Sequence, residues 1–142
     1  MVGRSAIVAE ARRWIGTPFR HQGRGVNGLD CAGLLVVVAT ALGIPVVDDL
    51  TYRRIPDTAR LKAVLLANLK PKPLDHRALG DVLLFKDPVR QGHAYHLGIE
   101  TDLGFIHAYG RADVKKVVEM PLSLDWQAAI VGVFEYPEVE GG

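Results

Sequence analysis

Sulfur is scarce in this chain: 142 residues hold one cysteine, Cys31, and two methionines. A single cysteine cannot close an intramolecular disulfide, and Cys-rich zinc and iron–sulfur sites are excluded with it. Cys31 is then either a buried small apolar residue or a chemically used thiol, and composition does not choose between them. An excess of one charge is also missing. Lys+Arg 17 against Asp+Glu 16 leave +1 before any histidine charge. Such a balance gives no whole-protein field toward nucleic acid or an anionic membrane, so no nucleic-acid partner is expected. The longest apolar run, Leu34 to Ala39, is far too short to span a bilayer, and no membrane insertion is expected. Arg4, Glu10, Arg12 and Arg13 interrupt the N-terminus, which has no secretory apolar core. The expectation is synthesis in the cytoplasm without a signal peptide. Internal repeats and low-complexity linkers are lacking too. What is present is an ordinary globular composition, 49% hydrophobic and 23% charged. The length suits one domain over residues 1–142.

Helical patterns fill the first half. Ser5 to Ile15 has an apolar face of Ile7, Val8, Ala11 and Ile15, a capping serine at Ser5, and a stop at Gly16 and Pro18. Cys31 to Leu42 is apolar nearly all round and closed by Gly43 and Pro45, as expected of a central buried helix. A third helix starts at Asp57 or Thr58, carries Leu61, Val64, Leu65 and Leu69, and ends before Pro71 and Pro73. Strand patterns follow at Val82 to Phe85, Tyr95 to Thr101, Gly104 to Ala108, Val114 to Glu119 and Ile130 to Tyr136. Asp102-Leu103-Gly104 suits a hairpin, Ser123 to Gln127 a short helical turn, and Val114 to Glu119 alternates like an exposed strand. The expected class is α+β, with N-terminal helices packed on a mostly antiparallel sheet of about five strands. Arg53-Arg54, Lys70-Pro71-Lys72 and Lys115-Lys116 read as solvated faces, and Trp14 and Trp126 as packing residues.

Leu29-Asp30-Cys31-Ala32-Gly33-Leu34 is the sharpest local feature. It follows the glycine-rich loop Gly23-Arg24-Gly25-Val26-Asn27-Gly28 and opens the buried helix. That loop matches the dinucleotide string Gly-x-Gly-x-x-Gly but follows a helix, not a strand, and is discounted. A thiol at a helix N-terminus faces unpaired N–H groups, which favour its anion, so the Cys31 pKa is expected to fall. A thiol nucleophile needs a base and a group that orients the base. His96 opens one strand and His107 lies in the next. Pivoting the hairpin about Asp102-Leu103 sets position 98 across from 107 and His96 one diagonal away, on one face of the sheet. The alternative for each histidine is a hydrogen-bonded structural role. His21 lies in the loop between the first two helices as a candidate cleft residue; His93 reads as a loop residue and His76 as surface. His93, His96, His107 and Cys31 match no compact zinc spacing, so neither a metal nor another cofactor is expected.

These segments resemble the NlpC/P60 family, papain-like cysteine peptidases that act on bacterial cell-wall peptides. The resemblance runs from about Ala6 to Tyr136. It rests on Gly16-Thr17-Pro18-Phe19, the loop with Gly23, and Asp30-Cys31-Ala32-Gly33-Leu34, followed in family order by Leu79-Gly80-Asp81-Val82-Leu83-Leu84-Phe85, His96-Leu97-Gly98-Ile99 and Phe105-Ile106-His107-Ala108. It implies Cys31 as nucleophile, His96 as base and general acid, and His107 as the residue orienting His96. Phe19, His21, Asp30 and Ala32 are the corresponding substrate-binding candidates, and a peptidoglycan stem peptide is the implied substrate. Two positions depart from the family pattern. Phe19 stands where a tyrosine is common, and Ala32 where a serine helps recognise the substrate's free amine, which leaves the bond specificity open. The chain is similar to the short stand-alone members of phage tails and gene-transfer particles. That similarity implies phage-like tail proteins as partners and action at the cell envelope. Two other readings stay open: a catalytically weak tail-tip or cell-wall-binding module, and an amidase or acyltransferase using the same triad.

Overall fold

The computed structural model of the chain describes residues 1–48, 58–86, 95–137, 139 and 140. Arg53, Arg54, Asp57 and His93, and the side chain of Leu61, lie outside the described residues. Helix α1 spans Arg4–Arg12 and buries Ile7, Val8 and Ala11. It is capped by Gly3 without a side-chain bond, so Ser5 is not its cap. The Gly3 carbonyl accepts from Ala6 and Ile7, and Arg4 is drawn into the first turn by carboxylates of the sheet. The helix ends before Ile15, which is exposed instead of completing the apolar face, because Gly16 donates its N–H to Val117 and turns the chain away.

The glycine-rich loop folds into a small antiparallel ribbon, β1 (Arg24–Gly25) and β2 (Gly28–Leu29), which leads directly into helix α2 (Cys31–Ala41). Seven of the eleven α2 residues are buried, which makes it the central helix its all-round apolarity implies. The Tyr136 hydroxyl donates to the Leu35 carbonyl inside the core, at 2.9 Å. Helix α3 covers Thr58–Asn68 and buries Leu65, with Leu69 following just beyond its end.

Among the described residues six strands, not five, form the main sheet. They are β3 (Lys70–Lys72), β4 (Val82–Lys86), β5 (Tyr95–Thr101), β6 (Gly104–Tyr109), β7 (Lys116–Met120) and β8 (Ile130–Glu135), in the order β3-β8-β4-β5-β6-β7. Every pairing is antiparallel. The additional strand is Lys70–Lys72, whose lysines and proline suggest only a helix stop and a solvated pair. Proline is tolerated at a sheet edge, where β3 lies. Lys72 turns inward to Asp81 at 2.8 Å and Glu135 at 3.4 Å, so it is not part of a solvated face.

Strand alternation divides the core in two. Val82, Leu84, Leu97, Ile99, Ile106, Ala108 and Val117 face the helices α1, α2 and α3. Leu83, Phe85, Phe105, Tyr109 and Val133 face the other way, where helix α4 (Leu124–Ala128), capped by Ser123, lays Trp126 over them.

Candidate active site

Asp30 fixes the start of α2. It is buried, and its Oδ1 accepts from the Gly33 amide at 2.7 Å as the helix N-cap. Oδ2 accepts from the Gln22 amide at 2.8 Å, and Arg24 Nη1 reaches Oδ1 at 3.1 Å. Arg24 continues to the Asp48 carboxylate, its Nε 2.8 Å from Oδ2. The loop packs so closely on the helix that a β-carbon at Gly33 would collide with the Gly23 carbonyl oxygen. These bonds leave little freedom in where Cys31, the first residue of α2, points its thiol.

The backbone amides of Leu97, Ala32 and Cys31 itself lie near enough to the Cys31 sulfur to favour its anion. Leu97 belongs to β5 and directly follows His96, so the thiol meets the sheet beside that histidine. Its pKa is pushed up to about 12, first by desolvation and then by the negative charge of Asp30. The three amides pull it down and do not prevail. This reverses the direction expected from the helix N-terminus alone. The carboxylate that caps the helix also repels a thiolate next to it, and burial penalises the anion further.

His96 and His107 meet as the hairpin register requires. Ile99 pairs with Ile106, which continues to Gly98 opposite His107. His96 Nε2 lies 2.6 Å from His107 Nδ1, and the bond is buried. Gly98 makes the space for it. A β-carbon at that position would stand 2.9 Å from the Phe105 ring and 3.5 Å from the His107 β-carbon. Burial, followed by the neighbouring His96, pushes the His107 pKa down to about 2, so His107 is neutral at any physiological pH. Phe85, Phe105, Tyr109 and Trp126 surround the pair; the Trp126 ring lies 6.2 Å from His96 and 5.6 Å from His107. On the far side, His107 Nε2 is 3.1 Å from Met120 Sδ. Sequence patterns assign Trp126 to packing, which it does, and give no role to Tyr109 or Met120. Strand alternation is the one signal that could place Met120 diagonally from His107.

The substrate-binding candidates are placed as follows. Ala32 lines a small apolar cavity with Leu35, Val36, Val46, Leu97 and Tyr136, and Cys31 is not part of that lining. Asp30 is committed to the cap and the loop. The Phe19 ring packs against Gly110, and its amide donates to the Lys115 carbonyl at 2.9 Å. His21 is half-buried in the turn that leads into β1. His76 ends an exposed 3-10 turn at Leu74–His76. Among the described residues no group of three His, Cys, Asp or Glu side chains is placed to hold a metal ion, and no helix is long and apolar enough to cross a membrane.

No curated protein matches the chain. Solved structures do. An NlpC/P60 family protein from Bacillus cereus superposes with a TM-score of 0.68 at 20% identity, over 94% of this chain and 40% of that one. A lipoprotein-like NLP/P60 protein from Staphylococcus aureus gives 0.63 at 20% identity, over 94% and 41%. The NlpC/p60 domain of the peptidoglycan hydrolase SagA gives 0.60 at 27% identity, over 94% of this chain and 99% of that domain. The chain thus spans about two fifths of the length of the first two proteins, and the whole of the third. The NlpC/P60 family itself matches residues 16–133, from the turn after α1 to the last strand of the sheet, and this chain belongs to that family.

Proposed function

We propose that the chain is a cysteine peptidase that hydrolyses amide bonds in bacterial peptidoglycan peptides through Cys31, His96 and His107. The observation that carries this reading is the buried 2.6 Å bond between His96 and His107, with His96 adjacent in β5 to Leu97, whose amide favours the Cys31 anion. Family membership and the likeness to the domain of a peptidoglycan hydrolase support the substrate class.

In this mechanism His96 takes the Cys31 proton as the sulfur attacks the amide carbonyl. Desolvation of the half-buried thiol favours its protonated form, and proton transfer to His96 supplies the nucleophilic sulfur for attack. The Cys31 and Ala32 amides at the N-terminus of α2 are the candidate donors for the developing oxyanion. His96 then protonates the leaving amine, and water, deprotonated by the same residue, hydrolyses the thioester. His107, held neutral, accepts a hydrogen bond from the His96 imidazolium and stabilises it. Action at the cell envelope, with delivery by a phage-like tail, belongs to the same proposal and rests on the resemblance to short stand-alone members. Copurification with tail proteins tests it.

A second reading, a catalytically weak cell-wall-binding module, is favoured by the raised thiol pKa. Mass spectrometry of defined muropeptides after incubation decides among the readings. The peptidase yields two fragments with one water added, and Cys31→Ala yields none. An acyltransferase yields an adduct with a second amine, and a binding module yields no new mass.

A further inference from the structure

The thioether of Met120 ends the chain of contacts that begins at the thiol. A thioether sulfur carries no proton and can only accept. Nε2 of His107, 3.1 Å from that sulfur, must therefore carry its N–H toward Met120, since two lone pairs facing each other would repel. A neutral imidazole has one N–H, so Nδ1 of His107 is left as an acceptor. His96 Nε2, 2.6 Å from that Nδ1, must then be the donor. In neutral His96 the remaining lone pair falls on Nδ1, the nitrogen on the side of the ring opposite His107. Every tautomer in the chain is thus determined at its far end, by the thioether.

We propose that Met120 is a positioning residue that sets the tautomers of the histidine pair and so keeps the base lone pair of His96 on Nδ1. The proposal rests on the peptidase reading only for its effect on turnover. Met120 occupies β7 one diagonal from His107, packed with Leu122 and Ile130 against the α4-side core. Replacing it by leucine removes the acceptor and nearly preserves the volume. His107 then has no reason to keep its proton on Nε2. Where it shifts to Nδ1, His96 Nε2 must accept and its proton moves to Nδ1, so an N–H occupies the site of the base lone pair.

Nitrogen-15 NMR of the histidine rings in the wild type and in Met120→Leu tests this directly, with steady-state kinetics on a muropeptide alongside. In the wild type at neutral pH both His96 and His107 should be protonated on Nε2. In Met120→Leu both tautomers should appear, with kcat down by about tenfold and KM within about twofold, as for loss of a residue that orients a catalytic group. A wild-type His107 protonated on Nδ1 overturns the proposal. So does a tautomer shift without loss of kcat, or a loss of kcat without a tautomer shift. The NMR arm needs no turnover: if Cys31→Ala still cleaves, the peptidase reading fails, and the ring spectra still decide whether Met120 sets the tautomers.

Discussion

At Cys31 burial and the Asp30 carboxylate oppose three backbone amides, and burial is the larger effect. The outcome has a kinetic signature. Iodoacetamide should label Cys31 slowly at pH 7 and faster with each rise in pH, without a plateau below pH 9. A plateau near neutrality would show that the amides prevail after all. Asp30→Asn keeps an N-cap oxygen and removes the negative charge, so it should speed labelling at a given pH. Gly98 makes a second prediction at this scale. Gly98→Val places a side chain against the Phe105 ring and the His107 β-carbon. It should therefore separate the histidines and lower kcat at least tenfold, as a displaced orienting group would. A variant with wild-type kcat and a folded spectrum would show that the hairpin has room to give. The histidine pairing itself is legible in the sequence, because Asp102 and Leu103 fix the hairpin and hence which residues face each other. The thiol pKa is not legible, because it depends on how deeply the tertiary fold buries the sulfur. Met120 is hidden for a related reason: the segment 110–115 sets the register of β7, and its length does not declare the pairing.

Among the elements, α2 depends on its cap. Asp30→Ala removes bonds to the Gly33 and Gln22 amides and a partner of Arg24. The cap alone is worth about 1–2 kcal/mol, and buried amides left without partners add to that. Chemical denaturation should show a lowered midpoint at unchanged slope; an unchanged midpoint would mean that Asp30 does not hold the loop. The boundaries of α2, β5 and α4 follow from their apolar runs and capping residues. The start of α1 does not, because Arg4 is engaged by carboxylates far away in the chain. Strand β3 is illegible as well, since its three residues carry two lysines and a proline, and only pairing with β8 makes them a strand.

For the molecule as a whole, one charge cluster ties the N-terminus to the sheet. Arg4 Nη1 lies 2.8 Å from Asp81 and Nη2 3.0 Å from Glu135, while Lys72 bonds the same two carboxylates. The cluster joins α1, β3, β8 and the turn before β4. Asp81 is fully buried, so Asp81→Ala leaves two cations with one carboxylate. Removing one partner of a buried pair costs roughly 3–5 kcal/mol, and the melting temperature should fall accordingly. A second tie, Arg12 with Asp102 and Glu119, holds both carboxyls below their usual range. Their folded pKa values are depressed, so this contribution is present above the unfolded values near 4 and is lost as pH falls through the lowered ones. Arg12→Gln should therefore flatten the loss of stability on acidification, read as melting temperature against pH. Helices first and strands after is legible as an α+β order. Which distant charges meet is not, because those contacts exist only once the sheet has formed.

The covalent step is the central claim. Intact-protein mass spectrometry of the chain, quenched in acid during turnover of a defined muropeptide, tests it most directly. The wild type should carry an acyl fragment of the substrate on Cys31, with none on Cys31→Ala, which also releases no product. Product release by Cys31→Ala at the wild-type rate would contradict the account.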